Sequence, residues 1–242
     1  VNPFKNELWT TNLTITAGTY KIGKERITVK QAEKGAPKPT ITIETEAIIK
    51  NGTIYVDEGT IVGTGVTFED VVLSLDLGGR VEFEDCVFKD CSMGKGGGWF
   101  TTWTSKWIFK NCVFDGGFFK RWCTTNVGIQ VHKCTFYDVD LPTFNYKKNA
   151  GSEAQHEWRT IEECLFKKCE VAVSVMVATQ DCVFDGCKFL QDPKPYDYKT
   201  PVELAAIVVN SRGKIPPSPD NVTVRVSTLP TKAGSELEYN FR

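Results

Sequence analysis

Three stretches of the chain, 94–106, 120–128 and 142–158, hold side chains suited to gripping a charged sugar polymer. The first carries Trp99, Phe100 and Trp103, the second Trp122, and the third Phe144, Tyr146 and Trp158. Lys95, Lys106, Lys120, Arg121, Lys147 and Lys148 accompany them, against only Glu153 and Glu157. Aromatic faces suit the apolar faces of sugar rings, and a local basic excess on a chain of net charge -1 suggests an anionic ligand. β-Elimination from a uronic acid needs a base for the proton beside the carboxylate and a cation for the enolate-like anion that forms. Lys120 or Arg121 could neutralise, and Tyr146, His156 or a lysine could serve as base. Trp99, Trp103, Trp122, Phe144, Lys147, Lys148 and Trp158 would then hold the substrate. A plainer reading competes with this one: the rings fill a satellite core under long loops, and the lysines and His156 are solvated surface groups.

Other chemistries find less support. Hydrolysis needs two carboxylates at a set separation, and Asp115, Asp138 and Asp140 stand near one edge, but such aspartates also suit turns. His132 reads as a structural residue. No zinc spacing, P-loop, nucleophile elbow or dinucleotide fingerprint occurs. Asn12-Leu13-Thr14, Asn51-Gly52-Thr53 and Asn221-Val222-Thr223 match the glycosylation pattern, which is short enough to recur by chance.

The stretches must be positioned by something regular, and the bulk composition allows a sizeable core. The chain has 242 residues, 41% hydrophobic and 24% charged, which fits one long globular domain. Its near-neutral charge gives no global pull towards nucleic acid or membranes, and no apolar run approaches the roughly 18 residues of a spanning helix. The start at Val1, with neither Met nor a signal-like segment, reads as a processed terminus, and the expected location is extracellular or periplasmic.

The regularity is a repeated phrase. It reads Phe83-Glu84-Asp85-Cys86-Val87-Phe88 and returns with Cys112 and Phe114, Cys134 and Phe136, Cys164 and Phe166, and Cys182 and Phe184. Two copies without cysteine are read around Val71 and Gly52. With the cysteine as zero, apolar side chains recur at minus five, minus three, zero, plus two, plus five and plus seven, which is the period of strands. Polar pairs break the pattern at minus two and minus one (Lys110-Asn111, Glu162-Glu163) and at plus three and plus four (Lys89-Asp90, Asp115-Gly116), as tight turns would. Three short strands, two tight corners and one variable loop make one turn of a coil, and stacked turns bury each column under its neighbour. Most of the nine cysteines occupy these columns and read as reduced, packed thiols, with Cys123 outside the repeat. The predicted fold is all-β: a single-stranded right-handed parallel β-helix with three short strands per coil. The zero positions 52, 71, 86, 112, 134, 164 and 182 place all extra length between plus seven and the next minus five. The three stretches therefore share one corner, as functional loops on a rigid scaffold do.

The coil phrase, the opening Leu13-Thr14-Ile15-Thr16-Ala17-Gly18-Thr19-Tyr20 and the later Pro39-Thr40-Ile41-Thr42-Ile43 resemble the right-handed β-helix proteins of the pectin-lyase-like superfamily. Residues 18–53 are more particularly similar to the start of the chondroitinase-B and alginate-lyase type of polysaccharide lyase. That family's mid-helix lysine and arginine motifs have no match here, nor do the paired-aspartate and Gly-His-Gly motifs of the polygalacturonase type. The resemblance implies a carbohydrate-active protein, a lyase before a hydrolase if an enzyme, that requires no cofactor and could carry calcium at its groove.

The whole chain reads as one domain: cap and first strands over 1–45, regular coils over 46–190, last rungs and a C-terminal cap over 191–242. The plus-one residues Val72, Val87, Val113, Thr135, Leu165 and Val183 form an outward apolar stripe that a terminal segment or a second copy could cover. Two functions follow as expectations. One is binding or cleavage of an anionic polysaccharide in the loop groove. The other is a noncatalytic structural or adhesive role, as in surface or tail-fibre-like proteins, with the stripe as a homo-oligomer contact.

Overall fold

The computed structural model describes residues 2–76, 78–95, 105–120, 127–141, 159–172, 179–190 and 223–225. They form a parallel β-solenoid of about six turns. The repeated unit is clearest where the strands Arg80–Glu84, Val87–Lys89 and Ser92–Lys95 make one coil. The first strand of each coil stacks into an eight-stranded parallel sheet that begins with Leu13–Ile15 and ends, among the described residues, with Thr179–Gln180. The second and third strands belong to a sixteen-stranded sheet, joined because Ala47–Val56 and Thr67–Leu75 run through their shared corner as continuous strands. No described helix is long and apolar enough to cross a membrane.

Alternation drives the packing. In Thr40–Ile43, Ile41 and Ile43 are buried while the threonines point outward, and the register Ile41↔Ile61 and Ile61↔Val81 carries that column upward. The zero column holds Ala47, Val66, Cys86, Cys112, Cys134, Cys164 and Cys182, all buried. Beside it Phe68, Phe88, Phe114, Phe136, Phe166 and Phe184 stack nearly parallel, with centroids 4.9, 4.8, 4.7, 4.7 and 4.6 Å apart. These distances match the separation of hydrogen-bonded strands, so each ring rests on the ring below. Val224 continues the register above Phe184. The eight described cysteines are buried thiols.

The two tight corners are columns of left-handed residues. One contains Glu46, Gly65, Asp85, Asn111, Lys133, Glu163 and Asp181, and the other Asn51, Asp70, Asp90, Gly116, Asp138, Lys168 and Gly186, all at positive φ. Asp, Asn and Gly tolerate this conformation best, which is why turn chemistry was readable at these positions.

The register corrects the two earliest copies of the repeat. Phe68 pairs with Phe88 and Leu73 with Met93, so Val71 belongs with Cys91 rather than Cys86, and Val66 occupies the zero column. Ile49 likewise pairs with Phe68 and Gly52 with Val71. The reading of these rungs was five residues out of step. Val72 consequently leaves the plus-one stripe: it lies between Thr53 and Ser92, whereas Val87 stacks on Thr67. Val87, Val113, Thr135, Leu165 and Val183 do form one outward column in register.

At the first end, the short helix Pro3–Lys5 and the strand Leu8–Trp9 lie against the opening coil. Phe4 and Trp9 are buried there with ring centroids 5.2 Å apart, and Phe4 also reaches Tyr20 at 5.6 Å. Leu8–Trp9 pairs with Thr28 and Val29 of the strand Arg26–Val29, on the sixteen-stranded sheet.

Candidate functional site

The third corner of the coil, where one turn passes to the next, concentrates the chemistry. The strands that leave towards it end in register: Met93 stacks on Leu73 and under Phe119, Gly94 lies opposite Lys120, and Phe118 lies opposite Asp140. The strands that return from it are also in register, with Ser105 opposite Val127, Lys106 opposite Gly128 and Ile129 opposite Arg159. The roots of the loops 94–106, 120–128 and 142–158 are thus stacked. Of the residues read as catalytic or substrate-binding, only Lys120 falls among the described ones, as the last residue of the strand Phe118–Lys120. Arg121, Tyr146, His156, Trp99, Trp103, Trp122, Phe144, Lys147, Lys148 and Trp158 lie outside the described residues.

The earlier turns of the same corner are short and carry a polar cluster that sequence reasoning missed. Val56 pairs with Leu75, so Asp57 and Asp76, which leave these strands, occupy neighbouring rungs. Asp76 is buried, and its Oδ2 accepts a hydrogen bond from the Tyr55 hydroxyl at 3.1 Å. The Arg26 guanidinium lies 4.5 Å from the centre of the Tyr55 ring. Burial and then the charge of Asp76 push the Tyr55 hydroxyl well above the usual phenol range, so it serves as a donor and not as a base. Burial also pushes the Asp57 carboxyl up, helped by Glu58 and Asp76 and opposed by Lys30 and Arg26. Asp57 Oδ1 is buried without a hydrogen-bond partner. A carboxyl so placed keeps its proton to higher pH than an ordinary aspartate. Its signal in sequence was Asp57-Glu58-Gly59 followed one rung later by Asp76-Leu77-Gly78: an aspartate and a glycine leaving two strands at the same point.

Across the turn the charge reverses. Arg80 stacks under Lys106 at the start of the returning strands, and Arg80 hydrogen-bonds Glu82. Burial, then the charge of Arg80, lowers the affinity of the Lys106 amine for its proton. The backbone is pinned at this point: Lys106 N donates to Gly79 O at 3.0 Å, and Gly78 N to the buried Ser105 hydroxyl at 3.0 Å.

No protein-family model matches the chain, and a search of curated proteins finds no similar sequence.

The remaining sequence-derived positions are distributed elsewhere. Asp115 and Asp138 sit at the second corner, where Asp138 is left-handed; burial, then Glu170 and Asp138, push the Asp140 carboxyl up. His132 lies at the first corner, its nitrogens 3.8 Å from Glu162 and 3.7 Å from Glu163. Among the described residues no group of three or more His, Cys, Asp or Glu side chains is arranged to hold a metal ion.

Proposed function

We propose that this protein is a carbohydrate-active β-helix that binds an acidic polysaccharide along its third corner and, if catalytic, cleaves it by β-elimination. The observation that carries the reading is the stacking of three loop roots on one edge of a rigid solenoid, for loops rich in aromatic and basic side chains. Arg80 and Lys106 extend the basic character onto the scaffold beside the first loop. The resemblance to the pectin-lyase-like superfamily, and to its alginate-lyase and chondroitinase-B branch, points to the same substrate class; on the chemistry of β-elimination, Lys120 or Arg121 would be the neutralising cation and Tyr146, His156 or a lysine the base. Incubation with alginate, pectate, chondroitin sulfate and heparan sulfate, followed by ultraviolet absorbance of the unsaturated product and by binding isotherms, tests this. Binding to at least one polymer that weakens with salt is expected, as is a further loss in the Lys147→Ala, Lys148→Ala double variant. Absence of both product and binding on all four polymers would sink the proposal.

The outward stripe favours a second reading, a noncatalytic β-helix that associates through this face. Val113 is 39% exposed at its middle, in register with Val87 and Thr135. On this reading the mass in solution is that of a dimer or larger, and Val113→Lys reduces it to the monomer. A monomeric mass for the unmodified protein at high concentration excludes it.

A further inference from the structure

The second strand of each coil turns two side chains outward, one on the plus-one stripe and one at plus three. The left-handed residue at minus one, on the corner before the strand, lies on the other side of the stripe. Minus one and plus three therefore flank it symmetrically, each two residues away. The stripe runs in register from Ile48 through Thr67 to Val87, and on through Val113 to Val183.

The two borders of the stripe carry opposite charges, coil by coil. Glu46 stands across from Lys50, Asp85 from Lys89, Lys110 and Asn111 from Asp115, and Glu163 from Lys167. In the coil of Thr135, Lys133 stands across from Tyr137, whose ring can receive a cation. The coil of Thr67 sets the uncharged Gly65 against Glu69, and the run ends at Val183, where Asp181 stands across from Asp185. The sign on each border reverses between the coils of Val87 and Val113 and again by the coil of Leu165, so this is not one acidic side facing one basic side. Some of these charges also pair along the solenoid, Lys89 with Glu69 at 3.5 Å and Lys133 with Glu163 at 3.7 Å, yet the Lys89 and Glu163 side chains remain 51% and 50% exposed.

We infer that a second copy of the chain covers the stripe, parallel and coil against coil, about a twofold axis that runs along it. This rests on the second reading above, association through the stripe, and gives it an arrangement. Such an axis sets Val113 against its own counterpart and each minus-one residue against the plus-three residue of the same coil in the other copy. Opposite charges then meet on both borders. An antiparallel copy centred on Val113 would set Lys110 against Lys110 and Asp115 against Asp115, which repel. A segment of the same chain, or an unrelated protein, laid over the stripe needs no complementarity between its two borders; a twofold copy meets each border with the other. Seven coils about 4.8 Å apart, with a face about 16 Å wide, offer roughly 500 Å² per copy and about 1,000 Å² in all, the lower limit for a specific interface. The dimer is therefore weak, its attraction supplied by the apolar centre and its orientation by charge.

Cross-linking tests the arrangement. Val87 and Leu165 lie three coils apart on the stripe. In the parallel dimer each faces its own counterpart, so a short bismaleimide should join the Val87→Cys protein and the Leu165→Cys protein alike into covalent dimers, with the unmodified protein as the control for its own thiols. An antiparallel copy can bring at most one of these positions opposite itself. Lys89→Glu and Asp85→Lys should each weaken self-association, measured by sedimentation, by about tenfold or more, and an equimolar mixture of the two should regain it, because the mixed dimer restores both pairs. Cross-linking of one cysteine variant only, or of neither, in a protein that is dimeric overturns the inference and leaves association through the stripe standing. A mixture that associates no more tightly than its components does the same. A monomeric mass for the unmodified protein at high concentration overturns both.

Discussion

Asp57 carries the clearest consequence at the scale of single residues. Burial, then Glu58 and Asp76, raise its carboxyl above the value of 3.8 that it has when exposed. Folding therefore favours the protonated form. The associated penalty is absent below pH 3.8 and grows as pH rises through the folded value. Asp57→Asn removes the charge and keeps the shape, so its urea midpoint should exceed that of the unmodified protein at pH 7 and equal it at pH 3. A lower midpoint at pH 7 would mean that the carboxylate is compensated in the fold. The cysteines make the opposite point, because their column fixed their role in advance. Burial pushes the Cys91 thiol up to about 12, and the thiolate is the reactive species. An aromatic disulfide reagent should leave the eight described cysteines unmodified in the native protein and react with all of them in denaturant. The packing of these thiols was legible because a repeat exposes its core column. Asp57 was not, because burial leads its shift and, of the charges that add to it, Glu58 is adjacent but Asp76 is nineteen residues away in sequence and one rung away in space.

At the scale of the strand and corner, the repeat was readable wherever cysteine marked the phase. It slipped by five residues where alanine or valine took that place. The cause is physical: both corners of a coil are polar pairs that close on a left-handed residue, and both are followed by alternating apolar side chains. Phe68-Glu69-Asp70-Val71 and Phe83-Glu84-Asp85-Cys86 are alike in sequence but turn different corners. The spacing of fifteen residues that resulted was the warning, since the observed zero column runs 47, 66, 86 with nearly equal steps. Corner glycines differ in what surrounds them, and this gives a paired prediction. A Cβ at Gly117, at φ +101, would stand 2.0 Å from the carbonyl oxygen of Cys91, whereas one at Gly186 meets only Lys168 Cγ at 3.9 Å. Gly117→Ala must move backbone and should cost about 3 kcal/mol or more. Gly186→Ala bears only the left-handed penalty of about 1 kcal/mol. Urea midpoints of the two variants measure the difference, and equal losses would show that the turn at Gly117 yields without cost.

For the molecule as a whole, stability is close to one-dimensional, because each coil touches only the coils above and below it. The phenylalanine column is the longest unbroken expression of this coupling. Phe114 stacks on Phe88 and Phe136 and meets Phe109 and Phe119 edge-on, at 5.1 and 5.2 Å, so it joins its own coil to the coils on either side through several rings. Phe114→Ala should cost about 3–5 kcal/mol, the range for removing a buried aromatic side chain. Trp9 packs at the end of the stack, with Phe4 beyond it and one strand beneath it. Its loss should therefore loosen the lead and the opening coil while leaving the middle intact. Hydrogen exchange separates the two cases: Phe114→Ala should accelerate amides on both sides of the strand Val113–Asp115, and Trp9→Ala only those near Leu13–Ile15 and Arg26–Val29. Uniform acceleration by Trp9→Ala would mean that the coils unfold as one cooperative unit, so that local damage at either end is felt at the loop corner.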